Sequence, residues 1–194
     1  MKKQNVIQKI CVIVGMIMLV SAMAGLIYWQ WNITHSEKQA RDYVQTLRAL
    51  MPQPQDAVVE ERRDNAMSAL SVDGLDFVGI VEFPGYDSTL PVCGDWGNVT
   101  RYPCRFSGSI YDGSLQLGAT TQKGQYSFYR EISLGDTVLF TDVEGNRYTF
   151  QVTAMRYENR IDQAVMQREE ADLTLFVKNI YSFEYLIVFC DTQR

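Results

Sequence analysis

Four cysteines and one histidine bound the chemistry this chain can do. The cysteines are Cys11, Cys93, Cys104 and Cys190, and the histidine is His35. A thiol becomes a nucleophile when its pKa is lowered or a nearby base takes its proton. His35 lies only four residues beyond an apolar run, so the domain that follows has no imidazole of its own. Three of the thiols lie beyond that run: Cys93, in the segment Cys-Gly-Asp-Trp at 93–96, Cys104 and Cys190. A single histidine excludes multi-histidine metal centres, and no CxxC spacing of a zinc site occurs, so no metal and no cofactor is expected. One disulfide fits an oxidising compartment. Cys93 and Cys104 are the nearest pair in sequence, and spacing alone does not set the pairing. Asp136, Asp142 and Glu144 could hold calcium, but acids at such places usually serve turns. Glu169, Glu170 and Asp172 read as a solvated face, and Gly113 and Gly118 lack the GK[ST] of a phosphate loop. Asn32 and Asn98 head Asn-x-Ser/Thr triplets, which matter only in a host that glycosylates.

The elements that must position these groups begin with an anchor. Residues 10–31 run 22 positions without a charge, about the length that crosses a bilayer core as a helix. Lys2, Lys3 and Lys9 precede it, which predicts residues 1–9 in the cytoplasm and a single pass through the plasma membrane. Tyr28, Trp29 and Trp31 stand where an interfacial belt would lie. Ala22-Met23-Ala24 resembles a signal-peptide cleavage site, but the apolar run continues past it, which favours an uncleaved anchor. The whole chain of 194 residues carries a net charge of −5, and the three lysines are the only charges before residue 32, so the remainder carries −8. So acidic a body excludes a primary nucleic-acid binder.

Residues 36–52 predict an amphipathic stalk helix. Ser36 and Gln39 form a capping-box pattern, Ala40, Tyr43, Val44 and Leu47 share a face, and Pro52 stops it. The stretch 53–72, opening with Pro and Gln, reads as a connector. From residue 73 to 194 the texture is that of short strands, expected at 76–82, 89–92, 115–118, 137–141, 147–155, 172–177 and 184–190. The run 143–146 is a hairpin turn, and 161–170 could form a short helix. The pattern is mainly β, a barrel or a sandwich.

The external domain resembles a sortase, the membrane-anchored cysteine transpeptidase of Gram-positive surfaces. The resemblance rests on DFVGIVEFPGYDSTLPV at 76–92, Trp96 with YPCRFSGSIYDGSL at 102–115, LGDTVLFTDVEGNRYTFQV at 134–152, DLTLF at 172–176 and YLIVFC at 185–190. It implies an eight-stranded β-barrel behind a transmembrane helix and an amphipathic helix. It also implies a cysteine that attacks the sorting signal, a histidine that protonates the leaving amine, and an arginine that steadies developing charge.

This sequence departs at all three positions. Aligned without a gap, Thr120 takes the histidine position, and matching the glycines instead gives Ala119. Lys178 takes the cysteine position and Tyr185 the arginine position. Cys104 and Cys190 match non-catalytic cysteines of similar sequences. The reading is a catalytically inactive sortase homologue at the cell surface. Thr120, Lys178 and Tyr185 would floor its groove, and its partner would be a sorting-signal peptide, another sortase or a pilin. Two rivals stand beside it. One is an active transpeptidase with a relocated nucleophile at Cys93. The other is a single-pass receptor built on a two-sheet β domain, with Trp96, Tyr102 and Phe106 as a patch or as core.

Overall fold

The structure is a computed structural model, and it describes residues 2–59, 65–159 and 171–192. The helix expected at 161–170 and the acids Glu169 and Glu170 lie outside the described residues. The chain divides into two units, Met1–His35 and Ser36–Arg194.

The first unit is helical. Helix α1 spans Lys2–Leu50, and its apolar part has a mean hydropathy of 2.2 over an 18-residue window, enough in length and composition to cross a membrane. Val12, Ile17, Leu19 and Ile27 are each more than half exposed, as a helix solvated by lipid would be. Ser36 does not start a second helix, contrary to its capping-box pattern. Residues 32–35 (Asn-Ile-Thr-His) contain neither Pro nor Gly, so nothing interrupts the helix before Ser36. Leu50 ends it two residues before Pro52, whose ring disfavours helix in the residue ahead of it.

Among the described residues of the second unit, ten strands follow: β1 (Gln55–Asp56), β2 (Leu70–Val72), β3 (Leu75–Phe83), β4 (Ser88–Cys93), β5 (Cys104–Ser107), β6 (Leu115–Thr120), β7 (Thr137–Asp142), β8 (Asn146–Glu158), β9 (Leu173–Lys178) and β10 (Tyr185–Thr192). Seven of them cover the strands expected from sequence. Eight close into a barrel in the order β3-β4-β5-β6-β9-β10-β8-β7, with β7 returning to β3. The two-sheet sandwich of the receptor reading is therefore not the architecture.

Period-two alternation fills the barrel. Leu115, Leu117 and Ala119 of β6, Leu173, Leu175 and Val177 of β9, and Leu186, Val188 and Cys190 of β10 all join the main core. Each fully buried Leu or Val contributes about 1.5–3 kcal/mol. A second, smaller core lies outside the barrel wall. Val44 and Leu47 of α1 pack there on Phe77, Ile80, Cys93, Tyr102 and Cys104.

The stretch expected as a connector is instead laid on the barrel. Gln55 N donates to Gly145 O at 2.8 Å, and β1 pairs in parallel with Asn146 and Arg147 of β8. Gly145 allows this approach: its φ is +88°, and a Cβ there would lie 3.1 Å from Pro52 Cβ. β2 pairs with β3. The turn at 143–146 is held by Asp142, fully buried, which accepts from Glu144 N, Asn146 N, Asn146 Nδ2 and the Tyr111 hydroxyl. Asp136 accepts from Ser133 N and from the Tyr86 hydroxyl. These acids do turn and packing chemistry, and no group of three or more metal-ligating side chains occurs among the described residues.

Candidate functional site

Strand register builds the site. β6 and β9 run parallel with Thr120 opposite Lys178, and β9 and β10 run antiparallel with Lys178 opposite Tyr185. Three residues far apart in sequence thus form one row across three adjacent strands. The same alternation that turns Ala119, Val177 and Leu186 into the core turns the row outward. Of the two residues aligned with the histidine position, Ala119 lies in the barrel interior and Thr120 on the outer face.

Each member of the row has a distinct environment. Thr120 is buried and its backbone anchors the next turn: its N donates to Gln125 Oε1 at 2.8 Å and its O accepts from Tyr126 N at 3.1 Å. Lys178 is exposed, with Nζ 6.0 Å from the centroid of the Tyr185 ring, the outer limit of a cation–π contact. Tyr185 is half-buried. The loop joining β9 and β10 is tied down by Ile180 N donating to Thr121 Oγ1 at 3.2 Å and Asn179 Nδ2 donating to Tyr129 Oη at 3.1 Å. Its tip exposes Tyr181 and Phe183.

The next row inward along the same face is Gly118, Phe176 and Ile187. Trp96 lies directly on Gly118. A Cβ at residue 118 would come 2.3 Å from Trp96 Cη2, so only glycine admits the indole. Trp96 meets Phe106 edge-to-face at 4.9 Å, and Phe106 meets Phe176 at 6.4 Å. The expected cluster of Trp96, Tyr102 and Phe106 is therefore split: Tyr102 belongs to the outer core, edge-on to Tyr43 and Phe77. Sequence reading did not foresee Trp96 on Gly118. The only local signal was a glycine inside a strand, which marks close approach without naming the neighbour.

The cysteines take no part in the row. Cys93 and Cys104 are register partners across β4 and β5, and both are fully buried. The Cys104 thiol beside Cys93 is the main cause that holds Cys93 down to about 7, while the same contact and burial push Cys104 up. Asn98 Nδ2 lies 3.7 Å from Cys93 Sγ and adds to the lowering. Cys190 sits apart in the main core, and burial raises its pKa. All three are thiols here.

The row presents a hydroxyl, an amine and a phenol. A threonine hydroxyl is too weak an acid to protonate an amine leaving group at neutral pH. A lysine amine that captured an acyl group would form an amide, which does not pass the acyl group on as a thioester does.

No family model matches the chain, and no curated protein matches it by sequence. Its structure, however, matches solved sortases with probability 1.00. Listeria monocytogenes sortase A is 18% identical, with a TM-score of 0.51 over 61% of this chain and 88% of that one. A Clostridium perfringens sortase C, solved with the C-terminal cell wall sorting motif, is 17% identical, with a TM-score of 0.52 over 61% and 71%. A Clostridium perfringens sortase D5 transpeptidase is 10% identical, with a TM-score of 0.50 over 61% and 80%. The class is thereby defined: this is a protein of the sortase fold, mainly β, with a closed eight-stranded barrel. An N-terminal apolar helix long enough to cross a membrane precedes the barrel.

Proposed function

We propose that this protein is a catalytically inactive member of the sortase-fold class. It would be held in the plasma membrane by residues 10–31, with its N-terminus in the cytoplasm and its barrel outside. Its role would be to bind or scaffold: it would take a sorting-signal peptide, an active sortase or a pilin during attachment of surface proteins, without cutting a bond. The observation that carries this reading is the row of Thr120, Lys178 and Tyr185, cross-strand partners at the ends of β6 and β9 and the start of β10, which holds no thiol, imidazole or guanidinium. Two further features support it. Trp96 covers the floor beside the row at Gly118. Cys93, the alternative nucleophile, has no exposed surface for a peptide carbonyl to reach.

The test is intact-mass spectrometry of the full-length protein in detergent micelles, incubated with a panel of LPxTG-like peptides. The expected result is an unchanged mass together with saturable noncovalent binding of at least one peptide or surface-protein partner. An acyl adduct mapped to Lys178 would mean a covalent trap, and one mapped to Cys93 would mean a relocated enzyme. Either would overturn the inactive reading.

A further inference from the structure

Between residues 36–50 of α1 and the barrel lies a cleft of about 780 Å3, and neither Thr120, Lys178 nor Tyr185 lines it. Its walls include Arg41 and Arg48 of α1, Ser88 and Thr89 of β4, and Gln125 and Phe128. That volume is typical of ligand sites.

Three independent features point to one kind of occupant. The first is an open strand edge. β4 pairs with β3 along Ser88–Val92 but with β5 only at Cys93. No other described residue makes a backbone hydrogen bond to Ser88–Val92. In an antiparallel ladder alternate residues turn N–H and C=O away from their partner; Cys93 N points to Pro103 O, so Thr89 and Pro91 also face away from β3, and the edge offers Thr89 N–H and the carbonyls of Thr89 and Pro91 to a newcomer. Pro91, which has no N–H, sits where strand prolines occur, on an edge.

The second feature is an amide without an acceptor. Gln125 is 2% exposed, and its Oε1 accepts from Thr120 N, which fixes the orientation of the amide. Its Nε2 has no partner among the described residues. A buried donor left so is costly, and a peptide carbonyl in the cleft would satisfy it.

The third feature is charge. Arg41 pairs with Glu37, and Arg48 pairs with Glu82 at 3.1 Å. Asp87 and Glu131, also on the lining, have no ion pair among the described residues. The charge left free is therefore negative.

We propose that this cleft is a second binding site, distinct from the row at Thr120, Lys178 and Tyr185, none of which lines it. Its ligand is an extended polypeptide segment with a basic side chain. The segment adds as a strand along β4, gives one carbonyl to Gln125 Nε2, and sets its cation between Asp87 and Glu131.

The test is to pan a displayed library of random octapeptides against the full-length protein in nanodiscs. Peptides containing Lys or Arg should be enriched. Methylating alternate backbone nitrogens of an enriched peptide should abolish its binding, and bound peptide should slow amide exchange at Thr89, whose N–H faces the open edge, while Leu90, already in the ladder with β3, serves as the internal reference. Gln125→Leu should weaken binding about 2- to 12-fold, the effect of one ordinary hydrogen bond. Asp87→Asn should weaken basic peptides too. It keeps a residue type that tolerates the left-handed backbone at this position, where φ is 46°, so it remains informative if Gln125→Leu fails to fold. No enrichment, enrichment of acidic peptides, indifference to backbone methylation, or protection at Phe176–Lys178 in place of β4 would each overturn the proposal.

Discussion

Gly118→Ala tests the packing that covers the candidate groove. The added Cβ would lie 2.3 Å from Trp96 Cη2 and 2.4 Å from Cζ3, so the indole must leave the strand. Trp96 is 38% exposed, so well over half of it is buried now. Aromatic side chains bury roughly 150–250 Å2 each, which makes the surface at stake on the order of 100–150 Å2. At about 25 cal/mol per Å2, returning it to water costs about 2.5–4 kcal/mol. Alanine in place of glycine inside a strand gives back about 0.5–1 kcal/mol, because the unfolded chain is less free. The net expectation is a loss of about 2–3 kcal/mol. For a unit of this size that lowers the melting temperature by about 5–10 °C. Thermal unfolding of the full-length protein in detergent, followed by circular dichroism, reads it directly. The decisive arm is the Trp96→Ala background. With the indole gone, Gly118→Ala should be neutral or stabilise by up to about 1 kcal/mol. An equal loss in both backgrounds would refute the contact and the covered floor with it.

Four further outcomes are expected. Asp142→Ala should cost about 3 kcal/mol or more, because it removes the buried carboxylate that accepts four hydrogen bonds and unties the β7–β8 turn; a loss under about 1 kcal/mol in the same melt would contradict this. Refolding the reduced chain from denaturant with oxidised glutathione, which reaches the thiols before they are buried and takes up the two electrons, should join Cys93 to Cys104, their register across β4 and β5 being within disulfide reach. Trypsin cuts after Arg101 and Arg105, so nonreduced peptide mapping shows the link, and a pairing with Cys190 would count against it. Burial and the Asp136 carboxylate push the Tyr86 phenol up to about 12 from an ordinary 10. Its neutral form is therefore favoured by folding, its contribution is complete below pH 10 and lost as pH rises towards 12, and the stability difference between wild type and Tyr86→Phe should shrink across that window. Lys178→Ala should leave unfolding within about 0.5 kcal/mol of wild type, since the side chain is exposed and outside the core, and any effect should appear in peptide binding.

Much of the barrel was legible because its strands alternate cleanly. In Leu173–Lys178 and Tyr185–Thr192, β-branched and aromatic residues mark the strands, and their short polar borders mark the turns. What escaped was short or held from outside. β1 has two residues and β2 has three, and each exists only because a neighbouring strand supplies its hydrogen bonds. β5 reads Cys-Arg-Phe-Ser, too brief and mixed to show a period. Ser36 failed as a helix start for the opposite reason: a capping pattern records what a side chain could do, and here the helix was already running. The row of Thr120, Lys178 and Tyr185 could be aligned from sequence, but its adjacency depends on one parallel and one antiparallel register. The open edge of β4, the Gln125 Nε2 without a partner among the described residues and the indole over Gly118 all depend on how distant segments come together. No local pattern announces them.

The outward setting of the row also bears on how such a protein can change over generations. Its three members sit on the outer face of strands whose opposite face, Ala119, Val177 and Leu186, builds the interior. Changing the exposed Lys178 or the half-buried Tyr185 leaves that packed interior untouched, whereas Thr120 is itself buried and is less free to change. In such a scaffold the chemistry of the exposed outer face is largely decoupled from the ability to fold.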